Sequence, residues 1–260
     1  MTNTIRVETD PRGVARLTLA RAEKHNALSA EMIAELTEAA QALGADPAVR
    51  VVVLAADGTS FCAGGDLAWM QAQITADAAT RAAGARKLAM MLNAINTCPK
   101  PVIGRIHGNA FGGGVGMMAV CDVAIGAAGT RFGLTETRLG LIPATIGPYV
   151  LARMGESLAR RVFMSSRLFD ADEAVRLNLL ARVVAPQALD AAVEAEVTPY
   201  LACAPGAVAE AKAQARALGP RIDAETIEAS IAGLVARWES PEAAEGIAAF
   251  FGKRKPGWAL

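Results

Sequence analysis

The sequence carries no excess of either charge: 26 Lys and Arg stand against 26 Asp and Glu in 260 residues. That balance argues against a dedicated nucleic-acid binder, which shows a basic surplus. Histidine is scarce, with only His25 and His107. The four cysteines, at 62, 98, 121 and 203, form no Cys-x-x-Cys pair, so no metal site is expected. Neither histidine has an obvious serine or cysteine partner. The N-terminus lacks the charged-then-apolar layout of a signal peptide. No long apolar run is free of charge and glycine; the stretch 110–128 contains Asp122 and reads as buried loop, helix and strand, not as a membrane span. A cytoplasmic location with reduced thiols is the default expectation. Aromatics make up only 5%. What is present is 53% apolar residues and 24 glycines, a helix-rich composition long enough to bury a core without disulfide or metal staples.

Along the chain, Ile5–Thr9 and Val14–Leu19 alternate around Asp10-Pro11-Arg12-Gly13, a hairpin signal. Ser29 is a helix cap before Met32, Ile33, Leu36, Ala40 and Leu43 at helical spacing. Val51–Ala55 is a continuous apolar run, as in a sheet buried on both faces. A glycine-rich loop, 58–66, and a helical stretch follow. Pro101–Ile106 is the next strand, running into a second glycine-rich loop, 108–116, and an apolar helix. Cys121–Ala127 returns as strand. Strand, glycine loop and helix thus occur twice, which predicts an α/β core with crossover connections. From about Thr145 the pattern is nearly all helical. Asp170-Ala-Asp-Glu173 has capping-box spacing, and residues 187–251 predict three or four helices broken at Pro205, Gly219-Pro220 and Ser240-Pro241.

Several motifs fail. Gly112–Met117 does not spell G-x-G-x-x-G, no Walker lysine follows a glycine loop, and Gly58–Cys62 lacks the second glycine of a nucleophile elbow. The two glycine loops remain, Phe61–Asp66 and Ala110–Gly114. First-turn N–H groups of a helix have no intrahelical acceptor, so two such loops side by side could aim two donors at one oxygen. On spacing alone, the same glycines serve equally well for tight turns and close packing.

The residues themselves resemble the enoyl-CoA hydratase/isomerase (crotonase) superfamily. Phe61-Cys-Ala-Gly-Gly-Asp-Leu67 is similar to its first signature, and Lys100–Gly108 running into Ala110-Phe-Gly-Gly-Gly114 to its second. Arg21–Ser29 resembles the family's early CoA-contact segment. Phe132–Glu136 and Arg138–Pro143 resemble its catalytic-acid segment, and Phe250–Trp258 its ending. The resemblance implies a spiral of repeated ββα units over residues 1–200 and a C-terminal helical trimerisation region over 201–260. It implies that the N–H groups of Gly65 and Gly113 hold an acyl-thioester oxygen while Glu136 moves a proton. Lys24, Ala27, Leu28, Ala63, Asp66, Leu67, Phe111 and Gly112 are the implied substrate-binding positions, although Asp66 reads rather as the cap of the helix after the first loop. Lys253, Arg254 and Lys255 are candidates for the nucleotide end of CoA. His107, Met117 and Met118 read as structural. CoA enters as part of the substrate, with no metal and no separate cofactor, no nucleic-acid or membrane partner is expected, and a homotrimer or homohexamer is.

The sequence also departs from the family. Two-glutamate hydratases carry a second glutamate two residues after the glycine triplet, where this chain has Gly116. Two enzymatic readings survive: a hydratase in which Glu136 works with another group, and an isomerase that shifts a double bond with Glu136 alone. Residues 136–149 are similar to the branch containing bacterial methylglutaconyl-CoA hydratases, which favours the hydratase and suggests a branched or carboxylated acyl group, with Arg138 or Arg131 as a counter-charge. A non-catalytic or RNA-binding relative is the alternative of another class.

Overall fold

The computed structural model describes residues 4–260. It is built on two sheets that share their order of travel. The hairpin of β1 (Ile5–Thr9) and β2 (Val14–Leu19) is antiparallel, as its turn chemistry predicts, and β2 then pairs in parallel with β3 (Val51–Ala56) from Val14↔Val51 to Leu19↔Ala56. The six-stranded sheet continues in parallel through β5 (Val102–Ile106), β7 (Val123–Ala127) and β10 (Arg182–Val184).

The second sheet was only half legible. Inside the stretches that read as glycine-rich loops lie three-residue strands, β4 (Ser60–Cys62) and β6 (Asn109–Phe111), parallel to each other and to β8 (Arg131–Gly133), with β9 (Phe169–Asp170) antiparallel at the edge. Three residues are too few to show a period of two, so pattern alone does not reveal them. With them the repeat becomes clear. β3 and β4 lead to α2 (Leu67–Thr75) and α3 (Ala78–Thr97). β5 and β6 lead to α4 (Gly113–Val120). β7 and β8 lead to a 3₁₀ turn (Glu136–Leu139) and α5 (Gly147–Met154). Neighbouring repeats pair in the order β3-β5-β7 in one sheet and β4-β6-β8 in the other, which is the expected ββα spiral.

The apolar run of β3 is buried along its whole length. Its alternate residues face two different layers. Val52, Leu54 and Ala56 join the main core with α1 (Ala30–Ala45), which Ser29 caps by accepting from the Met32 N–H at 3.2 Å. Val51 and Val53 meet Leu189, Val193 and Val197 of α8 (Leu189–Leu201). A parallel strand buried on both faces needs this unbroken apolar sequence.

After α5 come α6 (Glu156–Phe163), α7 (Ala171–Arg176), α8, α9 (Pro205–Leu218), α10 (Ala224–Trp238) and α11 (Pro241–Phe251). The capping box at α7 is half made. Asp170 accepts from the Glu173 N–H at 2.8 Å, but the Glu173 carboxylate turns outward to Arg167 at 2.7 Å instead of reaching back. The last two helices fold against the chain's own spiral. Ile227 and Ile231 of α10 pack on Ala85 and Ala89 of α3, and Trp238, Ala243 and Ile247 close over Leu141.

Candidate active site

The first glycine loop joins β4 to α2 and is tied down from behind. The Leu28 N–H donates to the Gly64 carbonyl at 2.8 Å and the Asp66 N–H donates to the Leu28 carbonyl at 3.1 Å. This is the parallel-bridge pattern between Leu28 and Gly65. It turns the Gly65 N–H away from Leu28. Asp66 caps α2, accepting from the Ala68 and Trp69 N–H groups at 2.8 and 3.4 Å, and pairs with Arg21 at 3.0 Å. Burial works to raise its carboxyl, but the Arg21 and backbone donors outweigh burial and hold it below the ordinary range. Its acceptor capacity is spent on the fold.

The second loop leaves β6 through Gly112, whose φ of +47° only glycine adopts without strain. Gly113 then opens α4. As the first helical residue, its N–H has no intrahelical acceptor and stands at the positive end of the helix dipole. The two loops are pressed together: a Cβ on Gly64 would stand 3.1 Å from the Phe111 carbonyl oxygen.

Glu136 begins the 3₁₀ turn after β8 and faces the second loop; a Cβ on Gly112 would lie 3.0 Å from its Oε1. Its Oε2 is shut off from solvent and has no hydrogen-bond partner. Burial pushes this carboxyl up to about 7, against the amides of Glu136 and Thr135 that favour the charged form. The turn is held by Ser166, whose Oγ lies 2.6 Å from Thr137 Oγ1 and accepts from the Arg138 N–H at 3.2 Å.

These groups share one cavity of about 470 Å³. Of the expected residues, Ala63, Gly65, Leu67, Phe111, Gly112, Gly113 and Glu136 line it. Four do not. Ala27 and Leu28 are buried behind the loops, Lys24 is exposed at the end of a short turn, and Asp66 is committed to its cap and to Arg21. Arg254 is occupied by Glu245 at 2.6 Å, and Lys255 donates to the Leu260 carbonyl at 2.9 Å. His25 does have a serine partner: Ser60 Oγ lies 3.2 Å from its Nδ1. The pairing joins residues 35 apart and was invisible in the sequence; neither member lines the cavity. His107 is structural, its Nε2 at 2.9 Å from the Gly58 carbonyl. Among the described residues, no group of three or more His, Cys, Asp or Glu could hold a metal ion.

Sequence reasoning missed the far wall. Trp69, Ile146, Leu234, Trp238 and Phe250 also line the cavity, and three of these come from the last two helices. Trp238 is fixed beneath Arg81, whose Cζ lies 5.5 Å from the ring centre. Apolar residues carry no chemical signal, so only the fold reveals them. Ile146 explains the missing second carboxylate. A Cβ on Gly116 would meet Ile146 Cγ2 at 2.6 Å, so the isoleucine fills the space a side chain at 116 would need.

A spiral of ββα units that gathers two glycine turns and a buried carboxyl around one apolar cavity has the layout of an enzyme active site. The family profile of enoyl-CoA hydratase/isomerase matches residues 9–259. A crotonyl-CoA hydratase of Syntrophomonas wolfei is 33% identical, with 93% of each chain aligned. The mitochondrial methylglutaconyl-CoA hydratase of mouse is 33% identical over 68% of this chain and 56% of that protein. The crystal structure of an enoyl-CoA hydratase from Mycobacterium avium superimposes with a TM-score of 0.86 at 31% identity, covering 100% of both chains. The chain belongs to the enoyl-CoA hydratase/isomerase (crotonase) family and is an enzyme of the hydratase, or lyase, type.

Proposed function

We propose that the enzyme adds water across the double bond of an enoyl-CoA, with Glu136 as its acid–base group and the Gly65 and Gly113 N–H groups as donors to the thioester oxygen. The observation that carries this reading is the Glu136 carboxyl, buried beside the second glycine loop with Oε2 unpartnered and its pKa raised to about 7. A carboxyl poised near neutrality gives and takes a proton with equal ease. The ionised form accepts a proton from water as the water oxygen bonds to the β-carbon. The electrons of the double bond move toward the thioester, and its oxygen becomes an enolate oxygen. Two backbone donors stabilise that charge, and such a donor contributes roughly 3 kcal/mol in comparable sites. The enolate then collapses as Glu136 returns the proton to the α-carbon. One carboxyl completes the cycle, which suits a site where Ile146 occupies the room beside Gly116.

CoA enters with the substrate, and no separate cofactor or metal takes part; turnover after dialysis against a chelator tests this. The acyl group is branched or carboxylated, as in 3-methylglutaconyl-CoA, a reading supported by the similarity to the mouse enzyme. Single-carboxylate chemistry also fits a second reading, double-bond migration, because Glu136 alone can take a proton from one carbon and return it to another; the packing of Ile146 on Gly116 suits both readings alike. Turnover of 2-enoyl-, 3-enoyl- and 3-methylglutaconyl-CoA in deuterated water separates them. Hydration adds the mass of one D₂O, whereas migration with exchange adds deuterium but no oxygen; the absence of added oxygen from every substrate would remove the hydratase reading. We further propose a cytoplasmic homotrimer or homohexamer. Exposed apolar side chains such as Met164 and Leu218, 64% and 83% exposed, are consistent with buried subunit contacts, and light scattering that returned a monomer would exclude both assemblies.

A further inference from the structure

Among the described residues, the lining of the cavity beside Glu136 includes one cation, Arg138, among side chains that are otherwise almost wholly apolar. Arg138 stands two residues beyond Glu136 on the same turn. Other arginines near this turn are occupied: Arg161 and Arg167 pair with Glu173, and Arg237 pairs with Glu242. Among the described residues the Arg138 side chain has no acidic partner. Its main chain, by contrast, is fixed. The Arg138 N–H donates to Ser166 Oγ at 3.2 Å, and Ser166 is itself buried, in a left-handed conformation with φ of +51°. Arg131, the other candidate counter-charge, does not line the cavity; it lies on β8 with its N–H bound to Asn109 Oδ1 at 2.8 Å.

Arg138 is exposed at the rim of this apolar lining, and among the described residues its side chain makes no hydrogen bond, so its guanidinium is available to a bidentate carboxylate. CoA also carries anionic groups. The segment that resembles the CoA-contact region, 21–29, nevertheless contributes no residue to this cavity, whereas Arg138 shares it with Leu139, Ile142 and Leu168. We propose that Arg138 receives a carboxylate at the far end of the acyl group, making the site selective for acyl-CoA thioesters that end in an acid. This rests on the reading that the cavity holds the acyl chain, and it does not depend on which reaction follows.

Binding without turnover tests it. Glutaryl-CoA and pentanoyl-CoA have five-carbon saturated acyl chains that end in a carboxylate and in a methyl group respectively. Calorimetric titration of the full-length protein should show glutaryl-CoA binding at least tenfold tighter, about 1.4 kcal/mol. In Arg138→Gln the gap should close to within twofold, and Arg138→Lys should keep part of it. Equal affinities in the wild type would overturn the proposal, as would a gap that survives in Arg138→Gln. A loss of the same factor for both ligands would also overturn it, because the arginine would then serve the CoA moiety. A gap that holds in a protein that adds no water to any enoyl-CoA would remove the hydratase reading and leave this one standing.

Discussion

At the residue scale the proposed mechanism depends on two main-chain donors, and their environments differ in how cleanly they can be removed. A Cβ at 113 would reach Leu28 Cδ1 at 2.6 Å, so any replacement there also disturbs packing. Position 65 is roomier: its nearest contact for a Cβ is Trp69 Cε3 at 3.8 Å. Gly65→Ala therefore keeps both the N–H and the packing, while Gly65→Pro removes the N–H. Leu28 bonds to the neighbours of Gly65 and leaves its amide free, so no ladder bond is lost with it. We expect the alanine variant to stay within a few-fold of wild type in kcat and the proline variant to fall roughly 10²–10³-fold. Circular dichroism and the melting temperature check that both fold. A folded proline variant with near-normal kcat would show that this amide does not carry the thioester oxygen. The two glycine stretches, Phe61–Asp66 and Ala110–Gly114, were legible in the chain, but only their resemblance to the family's signatures pointed to Gly65 and Gly113 as donors. What the sequence could not show was their surroundings. The raised pKa of Glu136 comes from burial that only the folded chain creates, and the serine opposite His25 lies 35 residues away on β4.

At the element scale, α11 is latched to the turn that bears Glu136. Arg237 donates to the Gly140 carbonyl at 2.8 Å and pairs with Glu242, while Gly246 sits against Leu139. A Cβ at 246 would lie 2.5 Å from the Leu139 carbonyl carbon, which is backbone and cannot rotate aside. Gly246→Ala should therefore push helix and turn apart, costing about 1–3 kcal/mol by overpacking and lowering kcat as Glu136 shifts. Gly233, in the middle of α10, has Ile142 Cδ1 at 3.7 Å, an ordinary contact. Gly233→Ala should instead stabilise by about 0.5–1 kcal/mol through helix propensity and leave kcat near normal. Urea midpoints and steady-state rates of the pair decide the matter; similar effects from both would mean that the latch does not exist. The helices themselves were readable from Pro205, Pro220 and Pro241, and their breaks fall where those residues stand. Their destination was not readable, since an apolar helix face does not say which apolar surface it meets.

At the scale of the whole molecule, the spiral buys its cavity by burying a carboxyl, and global stability should record that burial. The unfolded chain ionises Glu136 near 4.5 and the folded chain near 7. Between these values the folded protein holds a proton that the unfolded one has released. The folded state then binds more protons, so stability falls as pH rises through this window and levels off above it. Glu136→Gln has no charge to bury. Its stability relative to wild type should be close to even below pH 4.5 and rise to an advantage on the order of 1–3 kcal/mol at pH 8, read as a pH-dependent gap between urea midpoints. The same substitution should lower kcat by about 10²–10⁴-fold, and wild-type kcat/KM should climb through pH 7 as the base ionises. A variant whose stability tracks wild type at every pH would place the carboxylate in water, and a variant that kept its rate would take proton transfer away from Glu136. Finding both effects in one substitution would show that the charge whose burial destabilises the fold is the charge that performs the chemistry.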